Sequence, residues 1–479
     1  MEGLAAATTW SAQVESACRL GGPALIGQEG RWSGPELLAV ASGAAEWLTT
    51  LGVAPGTAVP FLSADTDVSV VALTIAGAAI GNPLAPLSSR HTIRELVPAV
   101  AGLNSPVLLT GPASADLAGE IAARTGGDAV VVPEPASSAT ALPRPPAEAI
   151  AMYLHTSGTT GAPKPVAMRQ DRAAARARVN STLLDLGPGR VYTTASPWHH
   201  IAGAGNVVVA LAAGAEVIAA PRFSVQSWRE MLNLHPTHAL LVPSMIEMLL
   251  DAGAIEPGSL RVLQYGGSPI RADTLRRLLE VLPDVELFNF FGQTEGSPIT
   301  CLRPRDHRLA RVGHDHLLDS VGQAAPGVEV RIAEPDEHGV GEVWARADHL
   351  MRVDAAGWLR TGDLGRLDAD GYLYLSGRKG DKIIRGGENI YPQEIEDALM
   401  SHPGIVEAGV VGLPDRRLGQ IAGAFLVARD PSCPPQIEEL ERFLRDRVAG
   451  FKVPTSWRFV ATLPKTPSGK VQRTRLLDL

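Results

Sequence analysis

The sequence predicts an α/β protein with a large N-terminal domain of several subdomains and a small, mobile α/β C-terminal domain. Three observations carry this. Short apolar runs of strand length alternate with longer runs at helical spacing up to about residue 325, which predicts largely parallel sheets. Beyond that point short strands sit between Gly/Asp turns, so a β-rich subdomain is expected. Finally, Gly377–Gly387 (GRKGDKIIRGG) is crowded with glycine and charge, the composition of a hinge, and is followed by a module of ordinary domain size. The boundary is expected at 378/379, giving domains 1–378 and 379–479.

The elements follow in order. Ser33-Gly-Pro-Glu36 is a capping box with proline in the first turn. Leu37, Val40, Ala41, Ala44, Leu48 and Leu51 then recur at helical spacing, and Gly52 ends the run. Ala58–Leu62 reads as a strand, Val68–Ile80 as an apolar helix, and Val107–Thr110 and Ala129–Val132 as short buried strands. Pro133–Pro146 reads as an exposed Pro/Ala/Ser connection. Alternation resumes through Val191–Ala195, Val207–Ala212, Glu216–Ala219, Ala239–Val242, Ser244–Leu250, Val262–Tyr265 and Thr274–Leu282. Val328–Ile332, Gly341–Ala345 and Tyr372–Ser376 are the strands of the β-rich part. In the last module, helices are expected at Pro392–Ser401 and Ile437–Ala449, and strands at Val406–Val411, Ala422–Val427 and Trp457–Val460.

Bulk properties narrow the function. The 479 residues are 45% hydrophobic and 20% charged, as in a soluble globular protein. A net charge of −8 leaves no basic excess for nucleic acid. Cys18, Cys301 and Cys433 lie far apart and form no metal pattern, which fits a reducing, cytoplasmic setting. The N-terminus MEGLAAATTW has no basic start and no apolar run, so no export signal is expected. Ile201–Ala220 is long enough to span a membrane, but Gly214 and Glu216 break it into helix, turn and strand. No membrane span is expected.

Five stretches and one histidine carry the chemistry. Tyr153–Met168 reads YLHTSGTTGAPKPVAM. Thr156, Ser157, Gly158, Thr159 and Thr160 offer hydroxyls and backbone N–H groups to an anion, and Lys164 a point charge. Proline after Lys164 excludes a Walker loop, and composition alone also permits a surface turn. Asn289-Phe-Phe-Gly-Gln-Thr-Glu295 sets aromatic rings and glycine beside Thr294 and Glu295, a hard oxygen ligand for Mg²⁺. Tyr265-Gly-Gly-Ser-Pro-Ile270 lets backbone approach a ligand, or is a plain tight turn. Trp358–Asp363 (WLRTGD) ends in a carboxylate able to accept two ribose hydroxyls, and Pro464–Arg473 (PKTPSGKVQR) is a basic segment or a flexible tail. His200, in SPWHHIAG, reads alone as an ordinary buried histidine.

Taken together, TSGTTGxPK, the YGGSP stretch, FGxTE, WxxTGD with DGYLYxxGR downstream, and PKTxxGKxxR resemble the adenylate-forming superfamily. That superfamily includes acyl-CoA synthetases, peptide-synthetase adenylation domains and firefly luciferase. The motifs run from about residue 150 to 475 in the family's order. The resemblance implies a nucleotide site built from Thr156, Ser157, Gly158, Thr159, Thr160, Lys164, Gly266, Gly267, Ser268, Asn289, Phe290, Phe291, Gly292, Thr294, Asp363, Arg378 and Lys470. Phe291 would stack on adenine, Thr294 touch phosphate, Glu295 hold magnesium, and Asp363 hold the ribose beside Arg378. His200, Gly267 and Gly292 would border the acyl pocket, and Lys470, Thr294, Glu295 and His200 would serve catalysis.

The implied chemistry has two steps. A carboxylate attacks the α-phosphate of MgATP, giving acyl-AMP and pyrophosphate; the small domain rotates about Gly380; a thiol then displaces AMP. CoA is the expected acceptor, because Ile384–Ile395 is close to the GGENIYPxEIE wording of free-standing acyl-CoA ligases. Alternatives are a carrier protein in trans, or an oxyanion such as nitrite activated for an amine. A nucleotide-binding protein with a dead ligase fold is opposed by intact Lys164, Glu295, Asp363 and Lys470. Two departures stand out: Pro165 where the family has glycine, and Gly380 where it has Asp or Lys.

Overall fold

The computed structural model describes residues 7–20, 25–27, 30–63, 67–134, 136–157, 163–219, 222–386, 388–465 and 471–479. The chain divides into two compact units. The first comprises Met1–Leu318, Gly322–Glu329 and Arg346–Leu359. The second comprises Asp319–Val321, Val330–Ala345 and Arg360–Leu479.

Two sheets build the first unit. A six-stranded sheet runs Asp128–Val131, Val107–Thr110, Val59–Ser63, Leu84–Ser88, Ile150–Ser157, Pro163–Arg169. It is parallel except for the last pair, which is antiparallel. A nine-stranded sheet runs Gln323–Ala324, Gly296–Leu302, Glu286–Gln293, Val262–Gly266, His238–Leu241, Val191–Thr194, Glu216–Ala219, Leu25–Gly27, Gly30–Trp32. Its central pairs are parallel and both its edges antiparallel. The expected α/β alternation is therefore present. The capping box at Ser33 and Glu36 forms, starting helix Gly34–Thr50, and helix Val68–Ile80 ends at left-handed Gly81.

Helices lie between these sheets. Val68–Ile80 packs on Gly34–Thr50 and on strand Ile150–Ser157, while Asn206–Ala213 packs on Val191–Thr194 and Glu216–Ala219. Helix Trp10–Arg19, which no apolar period in the sequence marks, touches all of these helices as well as Gln170–Leu184. Trp10 is 1% exposed and its indole N–H donates to the Val208 carbonyl at 2.9 Å. The fully buried Gln170 accepts from the Ser11 N–H at 3.0 Å and donates to the Ala78 carbonyl at 3.1 Å. Polar groups thus pin this helix without leaving the Gln170 amide unpaired.

Ile201–Ala220 becomes a π-helical turn Ile201–Gly205, helix Asn206–Ala213 and strand Glu216–Ala219. Among the described residues, no helix is long and apolar enough to cross a membrane. The Pro133–Pro146 connection is largely exposed yet docked. Ser138 donates its N–H to the Ala39 carbonyl at 2.9 Å and its hydroxyl to Glu46 at 2.6 Å.

In the second unit, Glu329–Ala333, Gly341–Arg346, Leu359–Leu367 and Leu373–Arg378 form a four-stranded sheet, as the β-rich pattern predicts. A five-stranded sheet joins Glu388–Ile390, Ile383–Arg385, Gly419–Ala428 and Ile405–Asp415, with Ser456–Phe459 parallel to Gly419–Ala428. Helices Pro392–Met400 and Ile437–Arg445 pack over its core of Ile383, Ile390, Ile395, Leu399, Val410, Leu426, Leu440 and Leu444. The glycine-rich stretch after Gly377 is more regular than its composition suggests. Lys379–Asp381 is a 3₁₀ turn, and Ile383–Arg385 pairs with Glu388–Ile390.

Removing the Trp10 side chain should cost about 3–5 kcal/mol and lower the first thermal unfolding midpoint. An unchanged midpoint in Trp10→Ala would show that this helix does not tie the two sheets together.

Candidate active site

The nine-stranded sheet sets the geometry. Strand Val191–Thr194 is followed in sequence by Glu216–Ala219 on one side and His238–Leu241 on the other. Such a reversal opens a crevice at the carboxyl ends of the strands, where α/β proteins bind ligands. The YGGSP stretch and SPWHH leave strands at that end, and the NFFG stretch forms the end of strand Glu286–Gln293.

Gly266 pairs in register with Phe290, and Tyr265 with Asn289. Gly266 has φ +152°, and a Cβ there would lie 2.5 Å from the Phe290 carbonyl oxygen. Gly267 follows with φ +85°. Only glycine allows this approach. Tyr265, fully buried, fixes the strand end: its hydroxyl lies 2.8 Å from His307 Nε2, and His307 Nδ1 lies 2.8 Å from the Arg303 carbonyl. The carbonyl can only accept, so Nδ1 carries the proton and the tyrosine donates to Nε2. Burial pushes His307 down to about 4.

Thr294 and Glu295 form the tip of a hairpin closed by the pair Gln293–Gly296. Gly292 is compelled by space, since a Cβ would lie 2.7 Å from the Gly296 carbonyl oxygen. The Glu295 carbonyl accepts from the Met351 N–H at 2.7 Å, and its carboxylate faces Arg352 Nη1 at 3.7 Å. Arg352 also donates from Nη2 to the Pro165 carbonyl at 2.6 Å. It does so from a left-handed backbone, φ +54°. Across the adjoining hairpin Thr156 pairs with Lys164, which is exposed, and the Thr156 hydroxyl donates to the Lys164 carbonyl at 3.4 Å. Arg352 therefore joins the strand bearing Lys164 to the hairpin bearing Glu295. Gly158, Thr159, Thr160 and Lys470 lie outside the described residues, as does the side chain of Ser157.

His200 is the N-cap of the π-helical turn Ile201–Gly205. That turn is held by Arg176, buried to 1% exposure on helix Gln170–Leu184. Arg176 donates to the Gly205 carbonyl, to Asn206 Oδ1 at 2.6 Å and to the Ser297 carbonyl at 2.9 Å. Desolvation lowers its pKa to about 10, which leaves it charged at neutral pH. Beside His200 stand three more histidines. His199 lies tilted against His200 with ring centroids 4.2 Å apart and meets His91 edge-on at 5.9 Å. His155 lies within electrostatic reach of His91.

In the second unit, Asp363 is 7% exposed and pairs in register with Arg378, whose Nε lies 2.7 Å from Asp363 Oδ1. Arg378 also donates to the Thr361 carbonyl at 3.1 Å. Arg473, in the PKTPSGKVQR segment, binds Glu396 at 3.1 Å and Asp381 at 2.7 Å. Burial pushes the Glu396 carboxyl up, against the pull of Arg473. Gly380 has open space around its Cβ position, so no contact demands glycine there.

The sequence profile of the AMP-binding enzyme family matches residues 13–353, and that of the AMP-binding enzyme C-terminal domain matches 394–470. The chain belongs to the AMP-binding enzymes. The sulfoacetate–CoA ligase of Cupriavidus necator is 33% identical over 402 residues, 81% of this chain and 75% of that one. The fatty acid–[acyl-carrier-protein] ligase ScoC of Streptomyces coeruleorubidus is 36% identical over 350 residues, 68% of this chain and 66% of that one. The o-succinylbenzoate CoA synthetase of Bacillus subtilis, solved with its acyl-adenylate, superposes with a TM-score of 0.87 at 28% identity, covering 99% and 98% of the two chains. The adenylate-forming resemblance read from the motifs is thereby confirmed: this AMP-binding enzyme is an adenylate-forming ligase with the large and small domains of its family.

Arg176, Arg352 and His307 were not singled out from the sequence. No motif surrounds them; each matters through backbone carbonyls or rings distant in the chain.

Burial holds His155, His307 and His349 at about 4. Their folded values lie below the ordinary 6.5, so unfolding takes up protons in acid. The stability they contribute is complete above about pH 6.5 and fades as pH falls toward 4, by on the order of 3 kcal/mol each. The thermal midpoint of this AMP-binding enzyme should drop steeply between pH 6.5 and 4.5. A flat profile over that interval would contradict the neutral, buried state of these rings.

Proposed function

We propose that this AMP-binding enzyme joins a carboxylic acid to the thiol of CoA by way of an acyl-adenylate. The observation that carries the reading is the Arg352 contact, which sets the Glu295 carboxylate beside the strand bearing Lys164. A carboxylate oxygen attacks the α-phosphorus of ATP, and the bond to pyrophosphate breaks. The thiol sulfur then attacks the acyl carbon, its proton is lost, and the C–O bond to AMP breaks.

The residues take the following roles in the proposal. Lys164 and the hydroxyls from Thr156 to Thr160 bind the β- and γ-phosphates, and Thr294 the α-phosphate. Gly266, Gly267, Ser268, Asn289, Phe290, Phe291 and Gly292 receive the adenosine. Asp363 accepts the ribose hydroxyls beside Arg378. His200, Gly267 and Gly292 border the acyl group. Lys470 stabilises charge gathering on the α-phosphate and the attacking oxygen. Among the described residues no three His, Cys, Asp or Glu side chains could hold a metal between them. A single carboxylate, Glu295, suits Mg²⁺, which keeps waters and substrate phosphates as its other ligands. Magnesium bound there would neutralise charge on the phosphates. Gly380, which no contact fixes, serves as the pivot between the two steps, with residues 1–378 and 379–479 as the working parts.

A carrier protein is the second acceptor to weigh, because the ScoC relative is a carrier-protein ligase. Buried Cys18, whose thiol is pushed up to about 12, and free Cys301 and Cys433 suit a reducing cytoplasm.

ATP–pyrophosphate exchange over a panel of acids tests the first step, and CoA against carrier and amine acceptors the second. Lys470→Ala should lower exchange by roughly 10²-fold or more while thioester formation from supplied acyl-AMP persists. Equal loss of both half-reactions would remove Lys470 from this role. Glu295→Gln should raise the magnesium concentration needed for half-maximal exchange; an unaltered magnesium dependence would move the ion elsewhere.

A further inference from the structure

The histidines near His200 have no place in the chemistry described so far. His91 follows strand Leu84–Ser88, His155 lies near the end of the neighbouring strand Ile150–Ser157, and His199 follows Val191–Thr194. Two sheets thus deliver them to one spot from carboxyl-terminal strand ends. His199 feels His200, His91, His155 and Arg90 together.

The rings are half-buried, and most of their nitrogens are shut from solvent without a partner. Among the described residues, neither ring nitrogen of His155 meets a hydrogen-bond partner, nor does His199 Nε2 or His91 Nδ1. The Pro86 carbonyl acts on His155 but stands outside bonding geometry. Burial lowers His199 to about 2 and His155 to about 4, and lowers His91 as well. The three are therefore neutral at physiological pH, each with one N–H donor and one lone pair. The charges facing them are Arg90, which is exposed at the edge, and Glu95. Glu95 is engaged: its carboxylate accepts the Thr92 N–H at 2.8 Å and hydroxyl at 2.9 Å as a helix cap. Unpartnered ring nitrogens, which donate wherever the tautomer sets the proton on them, favour an oxyanion when a cation stands beside them.

We propose that His91, His155 and His199, with Arg90 at their edge, form a subsite for a second oxyanion borne by the acid substrate. The substrate class is then a dicarboxylate or a sulfo- or phosphono-carboxylate rather than a plain fatty acid. This rests on the acid-activating reading above. The position favours the acid over the nucleotide, because His199 lies tilted against His200, the residue assigned to the acyl pocket. A site built to hydrogen-bond a substrate group rejects the analogue lacking it far more strongly than an apolar pocket rejects a methylene.

The test is ATP–pyrophosphate exchange with matched acids: succinate against butanoate, glutarate against pentanoate, and sulfoacetate. The wild-type enzyme should prefer the doubly anionic acid of a pair by about 10²-fold or more in kcat/KM. His91→Leu should cut that preference roughly tenfold through KM of the acid, with KM of ATP unmoved, and His91→Gln, which keeps a donor, should restore part of it. If His91→Leu unfolds, as judged by its thermal midpoint, His91→Gln against wild type still reads the preference. Butanoate matching succinate overturns the subsite. A rise in KM of ATP or pyrophosphate, equal for both acids, assigns the cluster to phosphate and also overturns it. No exchange with any acid removes the acid-activating reading itself.

Discussion

The site depends on how closely two backbones meet at Gly266. The carbonyl oxygen of Phe290 occupies the space a side chain would need, and the strand turns there into a conformation that L-residues avoid. This close approach places the glycine pair beside Asn289 and the aromatic stretch. Behind it, the Tyr265–His307–Arg303 chain of hydrogen bonds holds the strand end from within the core. The exposed surface of the crevice is thus shaped by groups buried behind it.

Charges are distributed by the same logic. Arg176 spends its guanidinium on carbonyls and an amide of the chain itself, so its task is to hold the turn after His200. Arg352 divides its guanidinium between a carboxylate and a carbonyl on separate hairpins. Pro165, the departure from the family pattern, contributes its carbonyl to that bridge. The missing N–H at this position is therefore accompanied by a retained acceptor with a definite partner.

Much of the fold was legible. Helix Val68–Ile80 could be bounded to the residue, because an unbroken apolar run stops at a glycine able to turn left-handed. Helices Trp10–Arg19 and Gln170–Leu184 escaped notice, because their buried faces include Gln13, Gln170, Arg176 and Asn180. Tertiary hydrogen bonds, not apolar period, justify those burials. The motif residues were legible as wording, since glycine, Thr-Glu and Thr-Gly-Asp recur in order. The histidine cluster was not. His91 and His155 are far apart in sequence and come within electrostatic reach only because strands Leu84–Ser88 and Ile150–Ser157 lie side by side.

By composition the segment after the expected catalytic lysine reads as a loose basic tail. Arg473 is instead clasped by Asp381 and Glu396, and Leu476 is wholly buried against Phe425 and Leu463. The last turn of the chain is therefore a structural plug. Removing Arg473 and Leu476 would unfasten the module that they close.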